Sequence, residues 1–262
     1  MFIEERHQAI LNWLEEKGNI SNTDIQENFG VSYDSAKRDL RILEEKGLLK
    51  RTHGGALPLR QIATGRPAKV TIREMGCVKD NYLNIAKEAV SMIKDNDVVY
   101  IPSASVGFLM VQNIPDTLRI RVVTNSIVLA EELRKRDNVS VIMLGGEMDD
   151  KGNCYDTIAV ETIKRLRFDK CFLTSACISA NFGLSIQRTQ AISFWNTLID
   201  SSKMTVGLYP NEKIGFDSIV SICPASRLDT LITDWDASEE DLKQFDEQGI
   251  KIVVVDKPEG NE

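Results

Sequence analysis

The sequence predicts a two-part α/β protein, an N-terminal winged helix-turn-helix followed by a domain built on a mainly parallel sheet. Three observations predict it. The first sixty residues hold three short helical periods separated by glycines, then a Gly-Gly turn. From Asp80 onward, short apolar runs alternate with helical stretches, the pattern of strands joined by helices. A chain of 262 residues is also too long for one average domain and comfortable for two. The expected boundaries are 1–57 for the first domain, 58–79 for a linker and 80–262 for the second.

In the first part, Ile3, Ile10, Leu11 and Leu14 form an apolar stripe at helical spacing over 3–17, and Gly18 is expected to stop it. Ser21 or Asn22 caps a second, shorter helix with Ile25 and Phe29 inward, ended by Gly30. Ser32 caps a third, with Val31 placed to staple onto Ala36. Ala36, Leu40 and Leu43 share one face of that helix, and Gly47 ends it. The segment 48–56 then alternates loosely about Gly54-Gly55 and reads as a small β-hairpin. Two helices joined by a tight turn, with a helix before and a hairpin after, make a winged helix-turn-helix.

Charge indicates what such a unit would touch. The chain carries a net charge of −7, which on its face disfavours a nucleic-acid partner. Through residue 60, however, nine Lys/Arg stand against ten Asp/Glu, so the acidity belongs to the C-terminal part. From Lys37 to Arg51 the balance reverses, with Lys37, Arg38, Arg41, Lys46, Lys50 and Arg51 against Asp39, Glu44 and Glu45. A charged run on a helix is ordinarily just its solvated face. Here it follows a capped turn and precedes a glycine hairpin, which favours a double-stranded DNA operator as partner. The third helix would enter the major groove with Ser32, Ser35, Lys37, Arg38 and Arg41, arginine pairing with guanine and lysine with phosphate. Lys50, Arg51, His53, Gly54 and Gly55 on the wing would reach the flanking backbone or minor groove. His53-Gly54-Gly55 could also suggest a hydrolase oxyanion loop, but the chain has no G-x-S-x-G nucleophile elbow.

The second part follows a connector, from Leu57 to about Lys79, that is rich in basic residues and holds Pro58 and Pro67. Helices are expected at 81–94, 106–112, 127–136, 159–166, 189–200 and 239–248. Strands are expected at 98–101, 121–124, 139–144, 170–174, 205–208, 218–222, 230–232 and 250–255. In such sheets, ligands bind beyond the carboxyl ends of the strands, often against a helix N-terminus that favours anions. Four loops meet that condition: Pro102-Ser103-Ala104-Ser105, Thr124-Asn125-Ser126, Gly145-Gly146-Glu147 and Pro210-Asn211-Glu212-Lys213. Hydroxyls and amides at a helix start, together with a lysine, make a cradle for a phosphate. Taken singly, Ser103, Ser105 and Ser126 are better explained as helix caps and Lys213 as a surface charge; it is their convergence on one sheet edge that brings the phosphate cradle level with that explanation.

The run Val31-Ser32-Tyr33-Asp34-Ser35-Ala36-Lys37-Arg38-Asp39-Leu40, the stretch Leu43-Glu44-Glu45-Lys46-Gly47 and then Arg51-Thr52-His53-Gly54-Gly55-Ala56 closely resemble the N-terminal signature of the DeoR family. The resemblance continues across nearly the whole chain, with Thr124-Asn125-Ser126, Leu144-Gly145-Gly146 and Thr233-Asp234 fitting well. It implies a bacterial transcription regulator, usually a repressor. It also implies a sensor domain similar to ribose-5-phosphate isomerase that binds a phosphorylated sugar or related metabolite. The implied effector residues are Ser103, Ala104, Ser105, Asn125, Ser126, Gly145, Gly146 and Lys213, and no cofactor or metal is implied.

There are departures. The family's first phosphate loop begins with an acid, and this chain has Pro102. Its D-x-S-K element follows a strand, where this chain reads Pro210-Asn211-Glu212-Lys213. Asp200-Ser201-Ser202-Lys203 has the letters but falls before the strand, so Lys213 is taken as the equivalent lysine. Two usual glycines are Thr174 and Cys177. Three readings therefore stay open: a metabolite-sensing regulator, a regulator whose second domain has lost its ligand and only self-associates, and an isomerase-like enzyme. The enzyme is disfavoured because a carboxylate base would be sought at Pro102 and Pro210.

Other classes fall by count and order. Five cysteines (77, 154, 171, 177 and 223), widely spaced and without a C-x-x-C pair, fit reduced thiols in a cytosol. Two histidines exclude a histidine-rich metal centre. The beginning of the chain lacks the order of a signal peptide, and the longest uncharged stretch, 98–115, is too short and too polar to span a bilayer. A cytoplasmic protein without membrane contact is expected, working as a symmetric dimer or tetramer.

Overall fold

The computed structural model describes residues 2–17, 19–58, 80–187 and 189–258. The chain splits into two compact units, Met1–Gln61 with Asp236–Glu239, and Ile62–Trp235 with Glu240–Glu262. Gly18 and all but the first residue of the expected linker at 58–79 lie outside the described residues, as does Cys77.

The first unit contains α1 (Ile3–Lys17), β1 (Ile20–Ser21), α2 (Asn22–Phe29), α3 (Tyr33–Glu45), β2 (Leu49–Arg51) and β3 (Gly55–Pro58). Its caps follow from sequence chemistry. The Ser21 hydroxyl accepts from the Asp24 amide at 2.9 Å while the Asp24 carboxylate accepts from the Ser21 amide at 2.8 Å, a reciprocal capping box. Gly30 closes α2 at φ +64°, a left-handed conformation that glycine adopts without a Cβ clash. Ser32 caps α3 by accepting from the Ser35 amide. Ile10, Leu14, Ile20, Ile25, Ala36, Leu40, Leu43, Leu49 and Ala56 form the core. Ile3, expected on the inner stripe of α1, is instead 51% exposed, and the inner face carries Arg6 and His7. The wing gains an unexpected third strand, since β1 pairs with β3 to give the order β1-β3-β2.

The second unit holds a seven-stranded sheet of β4 (Val98–Tyr100), β5 (Ile120–Thr124), β6 (Val139–Met143), β7 (Lys170–Leu173), β10 (Thr205–Leu208), β12 (Thr230–Asp234) and β13 (Lys251–Val255). The order is β13-β12-β10-β7-β4-β5-β6, and every pairing is parallel. β7, β10 and β12 are buried along their full length, while the edges β6 and β13 are mixed, as a covered parallel sheet requires. The helices are α4 (Asp80–Ser91), α5 (Ser105–Asn113), α6 (Ile127–Leu133), α7 (Thr157–Lys164), α8 (Ile192–Asp200) and α9 (Glu239–Asp246).

One expected strand is corrected. The run at 218–222 does not join this sheet: β11 (Val220–Cys223) pairs antiparallel with β9 (Gly183–Ile186), which pairs with β8 (Cys177–Ser179). The helix expected from 189 begins as a 3-10 turn, Thr189–Ala191, before α8. From β4 the chain winds one way through β5 and β6, and from β7 the other way through β10, β12 and β13. The switch point, where such sheets bind ligands, lies at the carboxyl ends of β4 and β7.

Candidate DNA and effector sites

Helix α3 has two faces. Ala36, Asp39, Leu40 and Leu43 are buried, while Lys37, Arg38 and Arg41 are exposed together with Ser32, and Ser35 is half-buried at the margin. The Ser32 and Ser35 hydroxyls lie 2.9 Å apart at the helix start. Lys37 Nζ sits 4.8 Å from the ring centroid of Tyr33, a 41% exposed aromatic that sequence reasoning passed over. Arg41 approaches Glu45 at 3.7 Å, but both side chains are more than 60% exposed, so the pair is weak and free to exchange for another anion.

On the wing, Lys50 and Arg51 are half-buried, and His53 and Gly54 are exposed at the turn. Glu44 accepts the Arg51 amide at 2.8 Å and ties the first wing strand to the end of α3. Gly55 differs from the rest of its motif. It is buried, and a Cβ there would stand 2.0 Å from the Ile20 carbonyl oxygen, so packing against β1 explains its glycine.

Asp39, one of the acids of the charged stretch, points inward and is 2% exposed. The Arg6 guanidinium donates to it at 2.7 and 3.2 Å, and His7 Nε2 lies 3.1 Å away. The hydrogen bond to Asp39 holds the Arg6 guanidinium above its ordinary range despite burial. This pair clamps α1 to the inner side of α3.

In the second unit, the four expected loops follow β4, β5, β6 and β10 at the carboxyl edge. Ser103 bonds Tyr155 Oη at 3.1 Å, and Ala104 is the N-cap residue of α5 with no side-chain cap. Ser105 opens α5, half-buried. Asn125 is fully buried, accepting from Tyr100 Oη at 2.8 Å and donating to the Cys154 carbonyl at 3.0 Å. Ser126 is buried at the N-cap position of α6, again without a side-chain cap bond. Capping therefore does not account for the serines.

Gly145 and Gly146 are exposed after β6. Gly146 has φ +145° and backs onto the Asp156 carboxylate, which accepts from the Glu147 and Ala159 amides. Those two bonds hold the Asp156 carboxyl below the usual aspartate range.

Lys213 ends a one-turn 3-10 segment, Asn211–Lys213, after β10. Its ammonium crosses to the loop after β7, donating to Thr174 Oγ1 at 3.3 Å and the Ser175 carbonyl at 3.1 Å. It thus reaches the switch point, and one of the filled glycine positions supplies its partner. Burial pushes the ammonium below the usual lysine range, with the neighbouring Glu212 opposing the shift. Lys203 lies at the other end of β10, paired with Asp169 at 2.8 Å, which leaves Lys213 as the lysine at the carboxyl edge of that strand.

Beneath these loops sits an aromatic group with no sequence signal. Phe194 packs edge-on against Tyr155 at 5.1 Å, Trp195 at 5.6 Å and Tyr100 at 6.1 Å between ring centroids. Two surface grooves lie elsewhere, about 430 Å³ along α7 and about 450 Å³ at the amino ends of β4–β6, and no expected effector residue lines either. Among the described residues there is no cluster able to hold a metal, four cysteines are free and buried, and no helix is long and apolar enough to cross a membrane.

Two stretches of the chain match known protein families. Residues 6–61 match the DeoR-like helix-turn-helix domain, and residues 80–235 match the DeoR C terminal sensor domain. The chain is 26% identical over 257 residues to the HTH-type transcriptional regulator GolR of Listeria innocua, covering 98% of this chain and 100% of that one. It is 27% identical over 268 residues to the HTH-type transcriptional repressor GlcR of Bacillus subtilis, covering 100% of both. Among solved structures, ribose 5-phosphate isomerase from Plasmodium falciparum is similar over 52% of each chain, with 16% identity and a TM-score of 0.37. The chain spans about half the length of that isomerase. The matched domains imply DNA and a small effector as partners, and they are those of regulators, not enzymes. With family models covering both units, the chain belongs to the DeoR family of helix-turn-helix transcriptional regulators.

Proposed function

We propose that the protein is a cytoplasmic, sequence-specific repressor whose operator binding is modulated by a phosphorylated sugar or a related metabolite. The observation that carries this reading is the outward face of α3, where Lys37, Arg38 and Arg41 are exposed opposite the buried Ala36, Asp39, Leu40 and Leu43. Arg38 and Arg41 would read base edges in the major groove, Ser32, Ser35 and Lys37 would hold the backbone, and Lys50, Arg51, His53 and Gly54 would contact the flank. Gly55 contributes by holding the wing. A symmetric dimer or tetramer would set two such helices on a pseudo-palindromic operator.

For the effector, Lys213 supplies a point charge at the switch point, and Ser103, Ala104, Ser105, Asn125, Ser126, Gly145 and Gly146 line the same edge, a set suited to one phosphate group. The similarity to the Bacillus subtilis transcriptional repressor GlcR supports the direction of control.

Thermal unfolding of the full-length protein against a panel of sugar monophosphates and their unphosphorylated counterparts tests the effector. A ligand at 100 times its Kd adds about 2.7 kcal/mol. A rise with one phosphate, absent in Lys213→Ala, is expected. A flat response across the panel contradicts it. The flat response would favour a second reading, in which the aromatic group of Tyr100, Tyr155, Phe194 and Trp195 has filled the crevice and the unit serves self-association alone.

A further inference from the structure

Asn211, Glu212 and Lys213 occupy one turn, yet each is tied to a different element. The Asn211 amide donates to Asp234 Oδ2 at 2.9 Å, at the end of β12. Glu212 accepts from Tyr82 Oη at 3.1 Å and from Asn81 Nδ2 at 3.4 Å, both in the first turn of α4. Lys213 donates into the loop after β7. Asn81 Nδ2 also reaches Asp234 Oδ2 at 3.1 Å, while its Oδ1 accepts the Tyr82 amide at 3.0 Å. The turn is a junction between the cation at the switch point and the start of α4.

That start occupies a particular place in the chain. Asp80 is the first residue of α4, and residues 59–79 separate it in sequence from Pro58, the end of the last strand of the first unit. The body of α4 is held by apolar burial of Ile85, Ala86, Ala89 and Val90. Its first turn has no such anchor apart from the Tyr82 and Leu83 side chains packed at the margin of the core, and its opening amides lack intrahelical partners. Polar contacts to 212 and 234 add to that packing in holding residues 80–83 wound.

We infer that the 211–213 turn couples occupancy at Lys213 to the winding of the first turn of α4, with Glu212, Asn81 and Tyr82 as positioning residues. The inference rests on the reading of Lys213 as the effector's anchor. A phosphate there competes with Thr174 and Ser175 for the ammonium and sets a second anionic group beside the adjacent Glu212 carboxylate. Like charges repel, Glu212 turns from Tyr82 and Asn81, and the first turn of α4 loosens. Each residue that unwinds adds about 2 Å to the chain between Pro58 and the wound part of α4, the difference between extended and helical rise. The ligand thereby changes the length of chain between the recognition helix and the effector unit without touching α3.

The test uses the full-length protein, a DNA duplex selected by it from a random library, and glucose 6-phosphate, fructose 6-phosphate, ribose 5-phosphate and inorganic phosphate as probes. Operator Kd is measured with and without the probe that raises the melting temperature, and amide exchange is followed at residues 81–84. In the wild type, the ligand is expected to weaken operator binding about fivefold or more, within the usual range of allosteric coupling, and to speed exchange at 81–84. Tyr82→Phe removes one hydrogen-bond donor and keeps the ring, and Glu212→Gln removes the charge that the ligand repels.

Both variants are expected to keep the ligand-dependent rise in melting temperature while the ratio of operator Kd values falls toward one. Tyr82→Phe is expected to show fast exchange at 81–84 before ligand is added. Wild-type ratios in both variants overturn the inference, and so does parallel loss of ligand binding and coupling. If no probe shifts the wild type, the effector reading of Lys213 fails and takes the inference with it. If a probe binds and the variants still respond, the inference alone fails.

Discussion

Whether a charged side chain recognises a partner or holds the fold depends on which side of its helix it occupies, and α3 contains both cases one residue apart. Arg38 is exposed, whereas Asp39 is buried against Arg6 and His7. The spacing of Ala36, Leu40 and Leu43 placed the inner face correctly, but nothing in the run of charges marked Asp39 as belonging to it. Its partners lie 33 and 32 positions away, and only the packed helices bring them together. Removing one member of a buried pair strands the other, so Asp39→Ala is expected to destabilise the first unit by about 3–5 kcal/mol in denaturant unfolding, far more than an exposed acid would.

Lys213 yields a pH prediction with a definite sign. Burial depresses its pKa, and only the protonated amine attracts phosphate. Effector affinity measured from pH 7 upward is therefore expected to decline before an ordinary lysine, at 10.5, would lose its proton. The unfolded chain holds that proton more tightly, so protein stability should rise with pH over the same interval.

At the scale of elements, the local signals were sufficient wherever an element is long or capped. The three helices of the first unit, the Ser21 and Ser32 caps and the glycines that follow α2 and α3, Gly30 and Gly47, stand where the sequence puts them, because capping and helical periodicity are local properties. The two-residue β1, and β8 and β9, were not legible. They are two to four residues long and exist only by pairing with distant partners, which gives no periodic signal. The same reason explains why the run at 218–222 was read as part of the parallel sheet: its apolar character fits either sheet.

β1 also separates the two glycines of the wing. A Cβ at Gly55 would collide with the backbone of Ile20 and Ser21, whereas nothing lies within 4 Å of one at Gly54. Gly55→Ala is expected to destabilise the unit by about 1–3 kcal/mol through forced backbone movement, and Gly54→Ala to leave its melting temperature nearly unchanged.

At the scale of the whole molecule, alternation of strands and helices announced a parallel sheet, but not its order. The pairing of β4 with β7 spans about 70 residues, and that pairing creates the switch point. Asn125 and Lys213 are legible as candidates because they sit in loops after strands. Tyr100, Tyr155, Phe194 and Trp195 give no such signal, because an aromatic side chain in sequence reads as core, and only the fold brings Tyr155 against Ser103 and Tyr100 against Asn125.

Two units of opposite task on one chain make a regulator only if the first reads DNA through α3. Guanine N7 methylation protection on a duplex selected by the full-length protein tests that claim most directly, because N7 is an acceptor in the major groove. The expected result is protection in two half-sites about one helical turn, or a multiple of it, apart, with loss of guanine protection and about 1–3 kcal/mol of specific affinity in Arg38→Ala. Protection that survives Arg38→Ala unchanged, or binding without any major-groove protection, would contradict the account.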